Sequence, residues 1–319
     1  MMRVAILDDY QGVALRLADW QSLHPAAQMQ AFTDHLDDHD ALAKRLHAFE
    51  IIVAMRERTP FPRALLERLP NLRLLVTTGM RNASIDLAAA TERKVQVCGT
   101  DMLPYPTAEL TWGLILALVR QIPREDRATR EGLWQTRLGV GLNGKTLGLL
   151  GLGKLGTQVA RIGKAFGMKV IAWSQNLTAD RAVEAGAVLV GKDALFAEAD
   201  IVSIHLVLSQ RSRHLVGAAE LARMKPTAYL VNTSRGPIVD ETALVAALRE
   251  KRIAGAGIDV FEPEPLPRNH PLLTLDNAVI TPHLGYVTEE NYRVAYGNAV
   301  ENIRAFLDGK VLRGLNQIG

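Results

Sequence analysis

Short apolar runs alternate with helix-period stretches along most of the chain. Residues 4–7, 51–55, 72–77 and 95–98 are brief and rich in aliphatic side chains, a pattern that predicts buried strands. Between them, residues 40–49, 62–69 and 87–93 space their apolar side chains as helices do. A second series of strands is predicted at 146–150, 169–173, 188–190, 201–205, 229–232, 255–258 and 279–281. Helices are predicted over 155–166, 178–185, 218–224 and 241–251, the last with Asp240 as its N-cap. Such alternation is the mark of βαβ units, so the fold class is α/β, with two doubly wound parallel-sheet domains.

Residues 107–131 join the two series and read as one long helical stretch. It is apolar on too many faces for a solvent-exposed linker, and a buried helix between domains or subunits is expected. A last helix over 288–307 is expected to return to the first domain. The predicted organisation is therefore 1–99, then 100–284, then a tail of 285–319 that rejoins the first part.

Composition changes this picture little. The 48% hydrophobic and 22% charged content suits a soluble globular protein, and a net charge of +3 without basic clusters gives no footprint for nucleic acid. The longest apolar stretch, 110–119, is about half a membrane span. The N-terminus, Met1-Met2-Arg3-Val4-Ala5-Ile6-Leu7, reads as a strand and lacks a signal-peptide cleavage site. A single cysteine, Cys98, excludes an internal disulfide and a cysteine-based zinc cluster, and a reduced, cytoplasmic setting is expected.

Candidate chemistry begins at Gly151-Leu152-Gly153-Lys154-Leu155-Gly156, which has a strand before it and a helix after it. Gly151 permits the tight turn, Gly153 lets a pyrophosphate approach the backbone, and Gly156 lets helix and strand pack closely. Lys154 and Leu155 open the helix whose free N–H groups would meet the phosphates. An acidic residue usually ends the next strand, about 20 residues on, to hold the ribose 2′-hydroxyl. Here that strand ends in Trp173-Ser174-Gln175-Asn176, with no carboxylate. Ser174, Gln175 and Asn176 can hydrogen-bond either ribose, so NAD and NADP both remain open.

Three polar residues follow predicted strands of the same domain: Arg235, Glu264 and His283. In an open parallel sheet, ligands bind outside the carboxyl ends of the strands, so all three can face one crevice. When hydride reaches a 2-oxo acid, charge grows on the carbonyl oxygen. A histidinium can donate the proton, a neighbouring carboxylate can orient the imidazole, and arginine can bind the substrate carboxylate. Hydride transfer to or from a small carboxylate-bearing molecule is the reaction expected.

The glycine loop, Asn232-Thr233-Ser234-Arg235-Gly236-Pro237-Ile238-Val239-Asp240, Gly257-Ile258-Asp259-Val260-Phe261-Glu262-Pro263-Glu264-Pro265 and Thr281-Pro282-His283 together resemble the D-isomer-specific 2-hydroxyacid dehydrogenases. The resemblance covers nearly the whole chain. It implies a Rossmann dinucleotide-binding domain inserted into a flavodoxin-like substrate domain, and a homodimer with contacts from residues 107–131. It implies that Arg235 binds substrate, that Glu264 and His283 do acid–base work, and that Thr233 and Asp259 lie at the nicotinamide. Thr77-Thr78-Gly79-Met80-Arg81-Asn82-Ala83-Ser84-Ile85-Asp86 resembles the family's substrate-carboxylate loop, which brings in Gly79, Met80 and Arg81. Met55-Arg56-Glu57-Arg58-Thr59 is similar to the Arg-Ser-Arg-Thr stretch of phosphoglycerate dehydrogenases, which makes Arg56 a substrate contact. Tyr286 replaces a common glycine and could line the pocket, and Val207 stands where proline is usual. The substrates implied are 2-oxo acids such as glyoxylate, hydroxypyruvate or 3-phosphohydroxypyruvate. Alternative readings of the same fold are a dinucleotide-sensing corepressor and a member using an unusual donor such as phosphite.

Two other strings look chemical. Asp34-His35-Leu36-Asp37-Asp38-His39-Asp40 resembles a metal cluster, but it precedes a helix and reads as a capping segment, so no metal is expected. Asn232-Thr233-Ser234-Arg235-Gly236 lacks the first glycine of a hydrolase elbow.

Overall fold

The computed structural model describes residues 1–318. Their contacts divide the chain into two compact units: Met1–Leu103 together with the segment from Thr288 onward, and Pro104–Val287. These crossings lie a few residues beyond 99/100 and 284/285.

The first unit contains β1 (Met2–Ile6), β2 (Ala27–Ala31), α1 (His39–Leu46), β3 (Ile51–Ala54), α2 (Arg63–Leu66), β4 (Leu74–Thr77), α3 (Leu87–Glu92) and β5 (Gln96–Cys98). Its five strands run parallel in the order β2-β1-β3-β4-β5, the flavodoxin-like order. β3, β4 and β5 are buried along their whole length, which is why β3 reads as a continuous apolar run and the other two carry only one polar residue each, Thr77 and Gln96. β2 is absent from the expected elements. Its sequence, Ala-Gln-Met-Gln-Ala, is half polar because it is an edge strand with its glutamines exposed. The acidic string serves local structure: Asp38 caps α1 through the Asp40 N–H at 2.9 Å, and His35 bridges Asp8 and Asp37. Among the described residues no group of three metal-ligating side chains is found.

The second unit holds α4 (Pro106–Val119), α5 (Ile122–Arg130), β6 (Thr146–Leu150), α6 (Lys154–Ala165), β7 (Lys169–Trp173), α7 (Ala179–Glu184), β8 (Val188–Leu189), α8 (Lys192–Glu198), β9 (Ile201–Ile204), α9 (Ala218–Arg223), β10 (Tyr229–Asn232), α10 (Glu241–Arg249), β11 (Gly255–Ile258) and β12 (Ala278–Ile280). Its seven parallel strands lie in the order β12-β11-β10-β9-β6-β7-β8. Six of them form the Rossmann arrangement with its switch point between β6 and β9, and β12 extends the edge.

The stretch 107–131 is two helices, not one. Gln121 adopts a left-handed conformation (φ 55°) and separates α4 from α5. The two halves also differ in what they bury. Trp112, Ile115, Leu118 and Val119 of α4 fill the core of the second unit, whereas α5 has no buried residue. The all-round apolarity of 107–119 thus reflects burial within its own domain.

The last helix, α11 (Glu289–Leu307), belongs to the first unit. Asn291 and Asn298 accept the backbone N–H groups of Leu103 and Asp101 at 2.7 and 2.9 Å, and Asn302 donates to the Gly99 carbonyl at 2.8 Å. These bonds hold residues 99–103 in the first unit.

Candidate active site

β6 delivers the glycine loop. Gly151 has φ +105°, and a Cβ there would stand 2.5 Å from the carbonyl oxygen of His205. A Cβ on Gly156 would stand 2.2 Å from the carbonyl oxygen of Gly151, so α6 can approach β6 this closely only with glycine. Gly153 differs. It is the extended N-cap of α6, and a Cβ on it would meet nothing within 4 Å. That open space lies at the first turn of a 12-residue helix beginning Lys154-Leu155, which suits a dinucleotide pyrophosphate. Ser174, Gln175 and Asn176 follow β7, the last two exposed.

β10, β11 and β12 are neighbours in register, Asn232 facing Ile258 and Ile258 facing Ile280. The chain therefore leaves all three strands at one end of the sheet, carrying Arg235, Asp259 with Glu264, and His283. The Arg235 turn is built by Asn232, whose amide donates to the Arg235 carbonyl and accepts the Ser234 N–H, both at 3.0 Å. A Cβ on Gly236 would collide with the Phe261 backbone at 2.4 Å, so this turn packs directly on the loop after β11. The Arg235 guanidinium donates to the Ser234 carbonyl at 2.8 Å. Thr233 is buried and shares a hydroxyl–hydroxyl bond of 2.9 Å with Thr111 of α4.

Glu264 and His283 meet. Oε2 of Glu264 accepts from Nδ1 of His283 at 2.6 Å, and Oε1 accepts the Phe261 N–H at 2.8 Å. One carboxylate oxygen is thus spent on anchoring its own loop and the other on orienting the imidazole, which leaves Nε2 as the nitrogen for exchange with a ligand. Tyr286 stands edge-on to the His283 ring, with centroids 5.4 Å apart.

His283 has φ 53°, a conformation that must be held in place. Asp259 holds it: this fully buried carboxylate accepts from the Thr281 hydroxyl at 2.6 Å and from the Leu284 and Gly285 N–H groups at 2.7 and 2.9 Å. Burial keeps its pKa above the usual carboxylate value, against the pull of these donors and of His283. Bracing of the His283 turn by Asp259 was not expected from the sequence.

His205 was also missed as a candidate. It is half-buried, its Nε2 lies 2.9 Å from the Ser203 hydroxyl, and desolvation of the ring depresses its pKa to about 4. A neutral imidazole therefore lies beneath the glycine loop. Val207, two residues on, is well exposed.

The first unit carries the other candidates. Gly79 has φ +96° and donates its N–H to Thr100 at 2.9 Å. The Arg56 guanidinium lies against it, with Nη1 only 2.1 Å from where a Cβ would stand. Arg56 is itself left-handed (φ 52°), tied through its N–H to Thr78 at 2.9 Å and through its carbonyl to Asn82 at 2.6 Å. Met80 and Arg81 are exposed. Glu57, the middle residue of the Arg-Glu-Arg string, places Oε2 3.5 Å from Nε of Arg56.

Residues 112–285 match the family model described as the NAD-binding domain of the D-isomer-specific 2-hydroxyacid dehydrogenases. A glyoxylate reductase from Aeropyrum pernix is 45% identical over 257 residues, 77% of each chain. A hydroxypyruvate reductase from Thermotoga maritima is 36% identical over 290 residues, 89% of this chain and 92% of that one. Among solved structures, a phosphoglycerate oxidoreductase from Vibrio cholerae O395 superposes with a TM-score of 0.92 at 38% identity, over 97% of this chain and all of that one. The loop, the parallel sheets and these likenesses agree: the chain belongs to the D-isomer-specific 2-hydroxyacid dehydrogenase family and is an NAD(P)-dependent oxidoreductase.

Proposed function

We propose that this protein reduces small 2-oxo acids to D-2-hydroxy acids. The observation that carries the reading is the 2.6 Å contact between Glu264 and His283 at the carboxyl end of the sheet that bears the glycine loop. A bound nicotinamide supplies the hydride for C2. His283, oriented by Glu264 through Nδ1, carries at Nε2 the proton that goes to the C2 oxygen. Arg235 binds the substrate carboxylate and polarises the carbonyl. The loop at Gly79, Met80 and Arg81 takes part in binding the acid through the N–H groups of Met80 and Arg81, the Gly79 N–H being held by Thr100. Gly151, Gly153 and Gly156 shape the pyrophosphate seat, Ser174, Gln175 and Asn176 meet the adenosine ribose, and Thr233 and Asp259 border the nicotinamide. A steady-state screen of NADH and NADPH against glyoxylate, hydroxypyruvate and 3-phosphohydroxypyruvate tests the reading. Oxidation of either dinucleotide by at least one acid is expected, and none by any acid overturns it.

The functional unit is proposed to be a homodimer formed through the 107–131 region, with its outer half in contact. Ile122 in that half, and Leu133, Trp134 and Leu138 just beyond residue 131, are all more than half exposed, an apolar surface of the kind that association covers. Leu138→Glu should shift the sedimentation equilibrium mass toward the monomer, and a monomeric wild type would refute the dimer. The single thiol, Cys98, is buried, in keeping with the cytoplasmic location we propose.

A further inference from the structure

The relatives' names span two kinds of substrate tail: glyoxylate and hydroxypyruvate carry no charge beyond the acid, whereas a phosphoglycerate-type substrate carries a phosphate dianion. We infer that Glu57 selects between them, and that this chain takes 2-oxo acids whose C3 substituent is absent or neutral. The inference rests on the reductase reading above.

Arg56 is the partly buried cation laid against the acid-binding loop, whose own cation, Arg81, is exposed. Its backbone is tied to Thr78 and Asn82, and its guanidinium reaches the Thr78 carbonyl at 3.5 Å while lying against Gly79. An anionic tail near that loop would find its natural partner there. The position is already balanced by the Glu57 carboxylate 3.5 Å away. Only 22% of the Arg56 and 27% of the Glu57 side chain is exposed, so solvent screens the pair weakly. The next cation along the string offers no replacement. Arg58 turns to the Asp8 carbonyl at 2.8 Å and stacks over the Tyr10 ring at 4.5 Å.

The Arg56–Glu57 pair is therefore formally neutral where an anion would dock. A phosphate that reached Arg56 would bring like charge up to Glu57 in a partly desolvated place. A hydroxyl meets no such repulsion, since it can donate to the carboxylate and accept from the guanidinium. Glu57 is thus a specificity-determining residue that acts by repulsion against the phosphorylated substrate.

The test compares kcat/KM for hydroxypyruvate and 3-phosphohydroxypyruvate in the wild type, Glu57→Gln and Glu57→Ser, with melting curves for all three. The wild type should favour hydroxypyruvate by about tenfold or more. Both variants should raise the phosphorylated-to-unphosphorylated ratio by about tenfold or more, through KM and not kcat. A wild type that prefers the phosphorylated acid overturns the inference, and this arm needs no variant to fold. A ratio that moves less than about tenfold in variants that melt like the wild type also overturns it. Failure of the wild type to reduce any 2-oxo acid instead overturns the reductase reading, and the inference with it.

Discussion

Nδ1 of His283 and Oε2 of Glu264 lie 2.6 Å apart although nineteen residues separate them in the chain. The contact commits the imidazole to one orientation. His283→Ala removes the proton carrier, and turnover should fall by about 10²–10⁴-fold. Glu264→Gln keeps the shape but loses the charge, and a smaller loss of kcat is expected. Dinucleotide titration by fluorescence should give unchanged affinity in both variants. Full turnover in His283→Ala would remove the histidine from the mechanism.

The glycines of the loop should separate by function. Gly156→Ala forces a Cβ to 2.2 Å from the Gly151 carbonyl oxygen, and destabilisation of about 1–3 kcal/mol or more is expected by denaturant unfolding. Gly153→Ala puts its methyl group into open space, so the apo protein should unfold like the wild type. Its dinucleotide affinity should nevertheless drop by about tenfold or more, because the methyl occupies the phosphate approach. Equal affinity in Gly153→Ala would show that the pyrophosphate lies elsewhere.

Ser174 follows directly on β7, where an acid would hold the ribose 2′-hydroxyl and repel a 2′-phosphate. Ser174→Asp should shift the ratio of kcat/KM for NADH over NADPH upward by about tenfold or more. Steady-state kinetics with the two dinucleotides read this directly. A downward shift would place the ribose away from residues 174–176.

The Asp8 hydrogen bond raises the pKa of His35 above its ordinary 6.5, in opposition to burial. A histidine whose folded pKa lies above its unfolded one stabilises the fold in its protonated form. That contribution is complete below about pH 6.5 and disappears as pH rises through the folded value. The melting temperature of the wild type should therefore decline by a few degrees across this range relative to His35→Gln. Parallel pH–melting curves for the two proteins would contradict the assignment.

Much of this protein was legible in its residues because the signals are local. Buried parallel strands such as β3 and β4 are almost unbroken apolar runs, and Gly156 answers a steric demand set five residues away, at the Gly151 carbonyl. The motifs around Arg235, Glu264 and His283 pointed to the chemistry in the same way. Edge strand β2 stayed hidden because one exposed face and one neighbour leave no strong periodicity in five residues. The stretch 107–131 read as one helix because composition does not reveal a single left-handed residue, Gln121. Long-range pairings were equally unreadable: Asp259 grips three donors 22 to 26 residues away. Neighbours along the chain suffice for the fold class, the glycine loop and the residue types available for proton transfer. Tertiary structure alone decided which atoms meet: Glu264 on Nδ1 of His283, Asp259 beneath the His283 turn, and the Arg56 guanidinium laid over Gly79 beside Glu57. Those meetings depend on how β11 lies beside β12 within one unit, and how the loop after β3 lies beside the loop after β4 within the other, and chain-neighbour propensities carry no record of that.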